Sequence, residues 1–159
     1  MAPAGIGDRV EGFHAVAEAI KAGRVYELFI EQGRAKRPDV RSLVDVAVGS
    51  GVKIETVPSV KAMARTEVPQ GLVANASPIE PLAVEDLANR SSALLVLDHF
   101  EDQHNVGAAA RSGLAAGMTG LIVPERRGAP LGAVAFKAAA GALEHLPICV
   151  VSSVADAID

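Results

Sequence analysis

The chain has 159 residues, half of them apolar, with 3% aromatics and no tryptophan, so alanine, valine, leucine and isoleucine must fill its interior. No apolar run approaches the roughly 18 residues a membrane span needs, no basic and then apolar leader follows Met1, and the single Cys149 rules out a disulfide framework or thiolate metal cluster. The net charge of −4 argues against indiscriminate coating of nucleic acid, and a soluble, cytoplasmic protein is expected. The charge is uneven: residues 1–77 carry ten Lys/Arg against nine Asp/Glu, and residues 78–159 five against ten. If RNA is bound, the first half is the better electrostatic platform.

In residues 11–22, Phe13, Val16, Ala17 and Ile20 recur at helical spacing and Gly23 stops the pattern, so a helix with one buried face is expected. Residues 25–30 read as a strand and residues 33–38 as a basic loop. A second helix over 39–48 is stopped by Gly49-Ser50-Gly51. Residues 52–57 alternate as a half-buried strand does, Ser59 is placed to cap a short helix reaching Arg65, and residues 71–74 form another strand. These elements make a layered α/β domain over residues 1–77. Pro78 and Pro81 then interrupt the rhythm, which assigns residues 78–92 to a linker containing a short amphipathic segment over 84–88.

The second domain, residues 93–159, opens with an apolar run at 93–98, the pattern of a strand buried on both faces of a parallel sheet. A helix over 106–116, a strand over 120–124, a helix through about Leu143 and a strand over 148–151 follow. The order is β-α-β-α-β, and residues 152–159 begin another helix.

The polar stretch between the first of these strands and its helix crosses the carboxyl edge of the sheet, where open α/β sheets place ligands. There Asn105 reads as an N-cap, Gly107 allows close backbone approach, and Arg111 lies further along the helix. On their own these residues are a cap, a packing glycine and a surface cation, or a weak signal for a phosphorylated ligand. The run Asp102-Gln103-His104-Asn105-Val106-Gly107-Ala108-Ala109-Ala110-Arg111-Ser112, however, resembles the first signature motif of the SpoU (TrmH-like) RNA ribose 2′-O-methyltransferases of the SPOUT superfamily. Gly117-Met118-Thr119-Gly120-Leu121-Ile122-Val123-Pro124 is similar to that family's second strand. Lys137-Ala138-Ala139-Ala140-Gly141-Ala142-Leu143-Glu144-His145-Leu146-Pro147 is similar to the approach to its third. The opening Glu11-Gly12-Phe13-His14-Ala15-Val16 and the later Pro69-Gln70-Gly71-Leu72-Val73-Ala74 resemble its N-terminal substrate-binding domain, which has an L30e-like fold.

The resemblance implies methyl transfer from S-adenosylmethionine to an RNA ribose 2′-hydroxyl within a homodimer. The nearest branch methylates a guanosine of 23S ribosomal RNA; a transfer-RNA methyltransferase and a non-catalytic RNA-binding fragment are the alternatives. The resemblance also places Asn105 and Arg111 in the catalytic site, Asn105 organising it and Arg111 assisting attack by the hydroxyl. A guanidinium is too weak an acid to serve as a general base, so electrostatic stabilisation of the alkoxide or a phosphate contact is the expected role of Arg111.

The family's cofactor loops and C-terminal trefoil knot follow its third strand, and their motifs do not occur here. No cofactor-binding residue is therefore expected in residues 1–159, and the chain by itself is expected to be inactive. RNA-binding candidates are Arg34, Lys36, Arg37 and Arg41, the densest basic cluster, together with Arg126 and Arg127 after the second strand. His14 faces either its own backbone or RNA, Glu144 reads as a helix cap or ion-pair partner, and the spacing of His99, His104 and His145 predicts no metal site.

Overall fold

The structure is a computed structural model that describes residues 5–158. Residues 1–4 and Asp159, which the expected domain bounds include, lie outside the described residues. The first lobe carries a four-stranded sheet in the order β1-β4-β2-β3, formed by β1 (Arg9–Glu11), β2 (Val25–Glu31), β3 (Lys53–Val57) and β4 (Leu72–Ala76). β2 and β3 run parallel, while β4 lies antiparallel to both β1 and β2. Three helices accompany this sheet: α1 (Phe13–Lys21), α2 (Gln32–Ala35) and α3 (Pro38–Gly49).

The apolar spacing predicts a helix that begins at Glu11, but Arg9–Glu11 is a strand. Gly12 is the reason: its φ of 84° lies outside the helical region, so the chain turns there and α1 starts at Phe13. The expected basic loop over 33–38 is largely helical. Gln32–Ala35 makes one turn, and Pro38 opens α3, where its fixed φ and missing N–H suit the first turn. Beyond β3, the helix expected to reach Arg65 is only a 3-10 turn, Lys61–Met63, although the Lys61 amide does donate to Ser59 Oγ at 3.3 Å.

The second lobe has a parallel sheet ordered β5-β6-β7, from β5 (Leu94–Val96), β6 (Gly120–Pro124) and β7 (Ile148–Val151). Helices α4 (Val84–Arg90), α5 (Gln103–Ala115), α6 (Ala133–Ala139) and α7 (Val154–Ile158) complete it. Alternate strand residues serve two cores. Leu121, Val123 and Ile148 face α5 and α6, whereas Ile122, Cys149 and Val151 pack with Leu87 of α4. β5 is not buried on both faces as expected; Leu94, Leu95 and Val96 are half-buried, because β6 occupies the centre and β5 the edge. The expected helix through Leu143 ends at Ala139, where Ala140 and Gly141 adopt left-handed φ values of 50° and 97° before a 3-10 turn over Ala142–Glu144.

Residues 78–92 do not hang between the lobes as a free connector. The Ile79 amide donates to Ile6 O at 2.8 Å, the Leu82 amide to Ile148 O at 2.8 Å, and Leu87 is fully buried. One apolar cluster runs through both lobes, with Val10, Val16 and Leu72 from the first joined to Val106, Phe136 and Leu143 from the second. Side chains fasten the same seam. The Arg24 guanidinium forks onto Glu144 and lies 5.7 Å from the Phe136 ring centroid, His145 Nε2 meets Glu18 Oε2 at 2.8 Å, and the Lys137 ammonium donates to the Val68 carbonyl. Glu144 is therefore an ion-pair partner across the lobes.

Candidate functional site

Helix α5 leaves the carboxyl end of β5 and packs along α6. Gly107 makes that approach possible: a Cβ there would lie 2.4 Å from the Ala135 carbonyl oxygen and 2.7 Å from the Ala139 nitrogen. Gly107 is buried against α6, so its missing side chain serves helix packing. The N-cap of α5 is Asp102, not Asn105; Asp102 Oδ1 accepts from the His104 amide at 2.8 Å. The helix starts three residues earlier than the apolar periodicity indicated, because its first turn is polar and the carboxylate satisfies an amide that would otherwise lack a partner.

Asn105 therefore lies in the first turn, exposed, and Arg111 is exposed further along. Six residues of helix separate them by about 9 Å along the axis and about 120° around it. Among the described residues neither side chain makes a hydrogen bond or ion pair, so both are uncommitted. The helix does not bring them into contact with each other.

At the carboxyl edge of the sheet, Asp98, His99, Arg126, Arg127 and Ser152 line a hollow of about 420 Å³. His99 has a left-handed φ of 56° and its Nδ1 lies 2.9 Å from Asp98 Oδ1; Arg127 is also left-handed, at 60°. Both arginines are exposed, so the loop after β6 presents two cations at the edge where β5 delivers the motif. Among the described residues no group of three His, Cys, Asp or Glu side chains is placed to hold a metal ion. Cys149 is buried, and its burial pushes the thiol pKa up.

The basic cluster of the first lobe divides. Arg34 and Arg37 line a hollow of about 660 Å³, while Lys36 and Arg41 are exposed to solvent and do not line it. Asp39 takes up part of this charge, lying 3.3 Å from Arg37 Nε and 3.8 Å from Arg34 Nη2. Partial desolvation opposes the Asp39 carboxylate, but the Val40 amide and the two guanidiniums outweigh it and hold its pKa below the ordinary value.

Sequence reasoning missed the loop that borders this hollow. Glu11 is completely buried, and its carboxylate accepts from the Arg65 amide at 2.6 Å, the Thr66 amide at 3.0 Å and the Thr66 hydroxyl at 2.5 Å. An acid pinned by three donors gives no periodic signal, since its partners lie more than fifty residues away. The loop's other side borders a cleft lined by Arg65, Lys137 and His104, so it stands between the first lobe's hollow and the start of α5.

Two family models match this chain: the RNA 2′-O ribose methyltransferase substrate-binding family over residues 9–82, and the SpoU rRNA methylase family over residues 92–159. A Staphylococcus saprophyticus protein named as a TrmH-family tRNA/rRNA methyltransferase is 31% identical over 157 residues, covering 94% of this chain and 63% of its own length. A Bacillus subtilis protein named in the same way is 32% identical over 160 residues, covering 96% and 64%. The chain thus spans less than two thirds of the length of these curated relatives. Among solved structures, an AdoMet-bound rRNA methyltransferase from Sinorhizobium meliloti matches with a TM-score of 0.71 at 23% identity, covering 94% of this chain and 56% of that one. The methyltransferase AviRb from Streptomyces viridochromogenes, in complex with AdoMet, matches with a TM-score of 0.73 at 19% identity, covering 95% and 56%. At these identities the structural likeness speaks for the fold.

Proposed function

The chain belongs to the SpoU (TrmH-like) methyltransferase family, and from that premise we propose that it forms the RNA-binding lobe and the first part of the catalytic lobe of an RNA ribose 2′-O-methyltransferase acting on a guanosine of 23S ribosomal RNA. The observation that carries this reading is Arg111, an exposed and unpaired guanidinium on the helix that carries the family motif. An arginine kept for surface solubility has no need of that motif. With no internal carboxylate engaging Arg111, its charge is available to a substrate.

S-adenosylmethionine would supply the methyl group as an electrophile. The residues present at the sheet's carboxyl edge do not by themselves fit it: the hollow there is lined by charged side chains and serines, with Pro124 and Val154 its largest apolar members, and lacks a broad apolar wall for adenine. The chain's own contribution is electrostatic. Arg111 stabilises the negative charge that develops on the 2′-oxygen as its proton leaves, or fixes the adjoining phosphate, and Asn105 orients the ribose through its amide. Arg126 and Arg127 hold the backbone near the target nucleotide. The active species is a homodimer in the cytoplasm, an assembly that sedimentation of the complete protein checks.

The test is transfer of radiolabelled methyl from S-adenosylmethionine to ribosomal RNA by the complete protein. Arg111→Ala lowers the rate by at least about a hundredfold, the scale set by removing one positioned electrostatic group. The product resists alkaline cleavage at the modified nucleotide, because the 2′-oxygen is blocked. Label on a base, or undiminished transfer by the variant, defeats the reading.

A further inference from the structure

The hollow on the first lobe exceeds the one beside the motif, and its volume of about 660 Å³ falls within the range of small-ligand sites, about 300–1,000 Å³. Its lining is charge-balanced, with Arg34, Arg37 and Lys61 opposed by Glu31, Asp39 and Glu67. A bare phosphate would meet as many carboxylates as cations there. A nucleotide, with an anionic end and a base carrying N–H donors, has use for both.

Three further observations shape the hollow. Gln70 and Gly71 are consecutive left-handed residues, at φ of 58° and 74°, and the Gln70 side chain accepts from the Phe13 amide at 3.1 Å, which ties the rim to the start of α1. Non-glycine residues keep such conformations where the surroundings enforce them, and they concentrate at ligand sites. Arg34 packs its stem over Gly71, where a Cβ would come within 2.4 Å of Arg34 Cγ, and its Nε is buried without a hydrogen-bond partner. Phe13 and His14 set two rings edge to face, with centroids 5.4 Å apart and planes at 84°, giving a flat base one ring to stack on and another to abut.

We propose that this hollow seats one unpaired nucleotide of the substrate RNA, its base against Phe13 and His14 and its phosphate at Arg34 and Lys61. The inference rests on the RNA-modifying reading above and adds a fixed point to it. The loop over residues 64–71 borders the hollow on one side and the His104–Lys137 cleft on the other. A nucleotide held here therefore sets where the rest of the strand crosses the start of α5.

The test uses the full chain and two RNA hairpins that differ only by one bulged nucleotide, with GMP as the minimal probe. GMP shifts the amide resonances of Phe13, His14, Lys61 and Gly71, and the bulged hairpin binds more tightly than the fully paired one. Lys61→Ala and His14→Ala, both at exposed positions and checked for an unchanged melting temperature, each weaken bulged-hairpin binding by about fivefold or more, His14→Ala through a lost stacking surface, for which this ratio is the low end, and Lys61→Ala through a lost phosphate contact. Neither variant affects the paired hairpin. Equal affinity for the two hairpins, or GMP shifts confined to other residues, overturns the nucleotide seat while leaving RNA binding intact. Failure of both hairpins to bind overturns the seat and counts against RNA binding by this lobe; methyl transfer by the complete protein then decides the enzymatic reading separately.

Discussion

Arg24 and Glu144, 120 residues apart in the chain, meet across the two lobes in a two-point pair: Nε donates to Oε2 at 2.8 Å and Nη2 to Oε1 at 2.5 Å. The Glu144 side chain is 1% exposed and that of Arg24 is 13% exposed. Arg24 Nη1 also donates to Gly7 O at 3.1 Å and to the Ser77 carbonyl, so one guanidinium gathers both lobes and the segment joining them. Glu144→Ala leaves a buried cation without its partner and should cost about 3–5 kcal/mol, whereas replacing both residues by apolar ones of similar size should cost much less. Denaturant unfolding of the two variants checks this. The same seam should slow limited proteolysis within residues 78–82 of the native protein, and Glu144→Ala should accelerate it.

Gly107→Ala should destabilise the second lobe by about 1–3 kcal/mol, the usual range for overpacking. The added methyl group meets backbone of α6, which cannot rotate aside as a flexible side chain can. Thermal melting detects the loss. Gly113→Ala, where the nearest atom is the Leu95 Cδ2 at 2.9 Å, should be milder because that side chain can move.

Replacing Arg34, Lys36 and Arg37 together by alanine should weaken RNA binding and flatten its dependence on salt by up to about three units of slope, since each phosphate contact releases roughly one counterion. Asp39 already engages two of these side chains, so the measured change should fall short of three. Binding titrations at several salt concentrations read this directly, and an unaltered slope takes the cluster out of the interface.

Cys149 should resist alkylation in the folded protein and react readily in denaturant. It is 1% exposed, and desolvation raises its pKa, so access and thiolate population are both low. Timed labelling followed by mass spectrometry gives the ratio. Fast labelling of the native chain would mean that the α4 side of the second sheet opens often.

Glu18 has its pKa lowered by hydrogen bonds to Lys21 and then to His145. A carboxylate depressed in the folded state stabilises it fully above its ordinary value of 4.5, and that contribution is lost as pH falls through the folded value. Glu18→Gln should therefore be less stable than the parent near neutrality, by at most about 1 kcal/mol for so accessible a group, and the gap should close below the ordinary glutamate range. Urea denaturation across that window tests the sign.

Local spacing was enough to determine the α/β class, the strands at 25–30, 120–124 and 148–151, the first of which runs one residue further to Glu31, and the motif from Asp102 to Arg111. Each of these is set by residues within a turn or a pleat of one another, so hydrophobic periodicity, glycine stops and a short residue pattern carry the information. Tertiary structure alone decided the rest. Arg9–Glu11 is a strand because β4, more than sixty residues later, supplies its hydrogen-bond partners. Leu94–Val96 is half-buried because the order of the sheet puts β6 at its centre. Glu11, Arg24 and Glu144 find their partners more than fifty residues away, and Phe13, Arg34, Lys61 and Gln70 enclose one hollow although they span most of the first lobe. Pairings of this kind depend on how the chain closes on itself, and loop closure leaves no periodic trace in the residues it brings together.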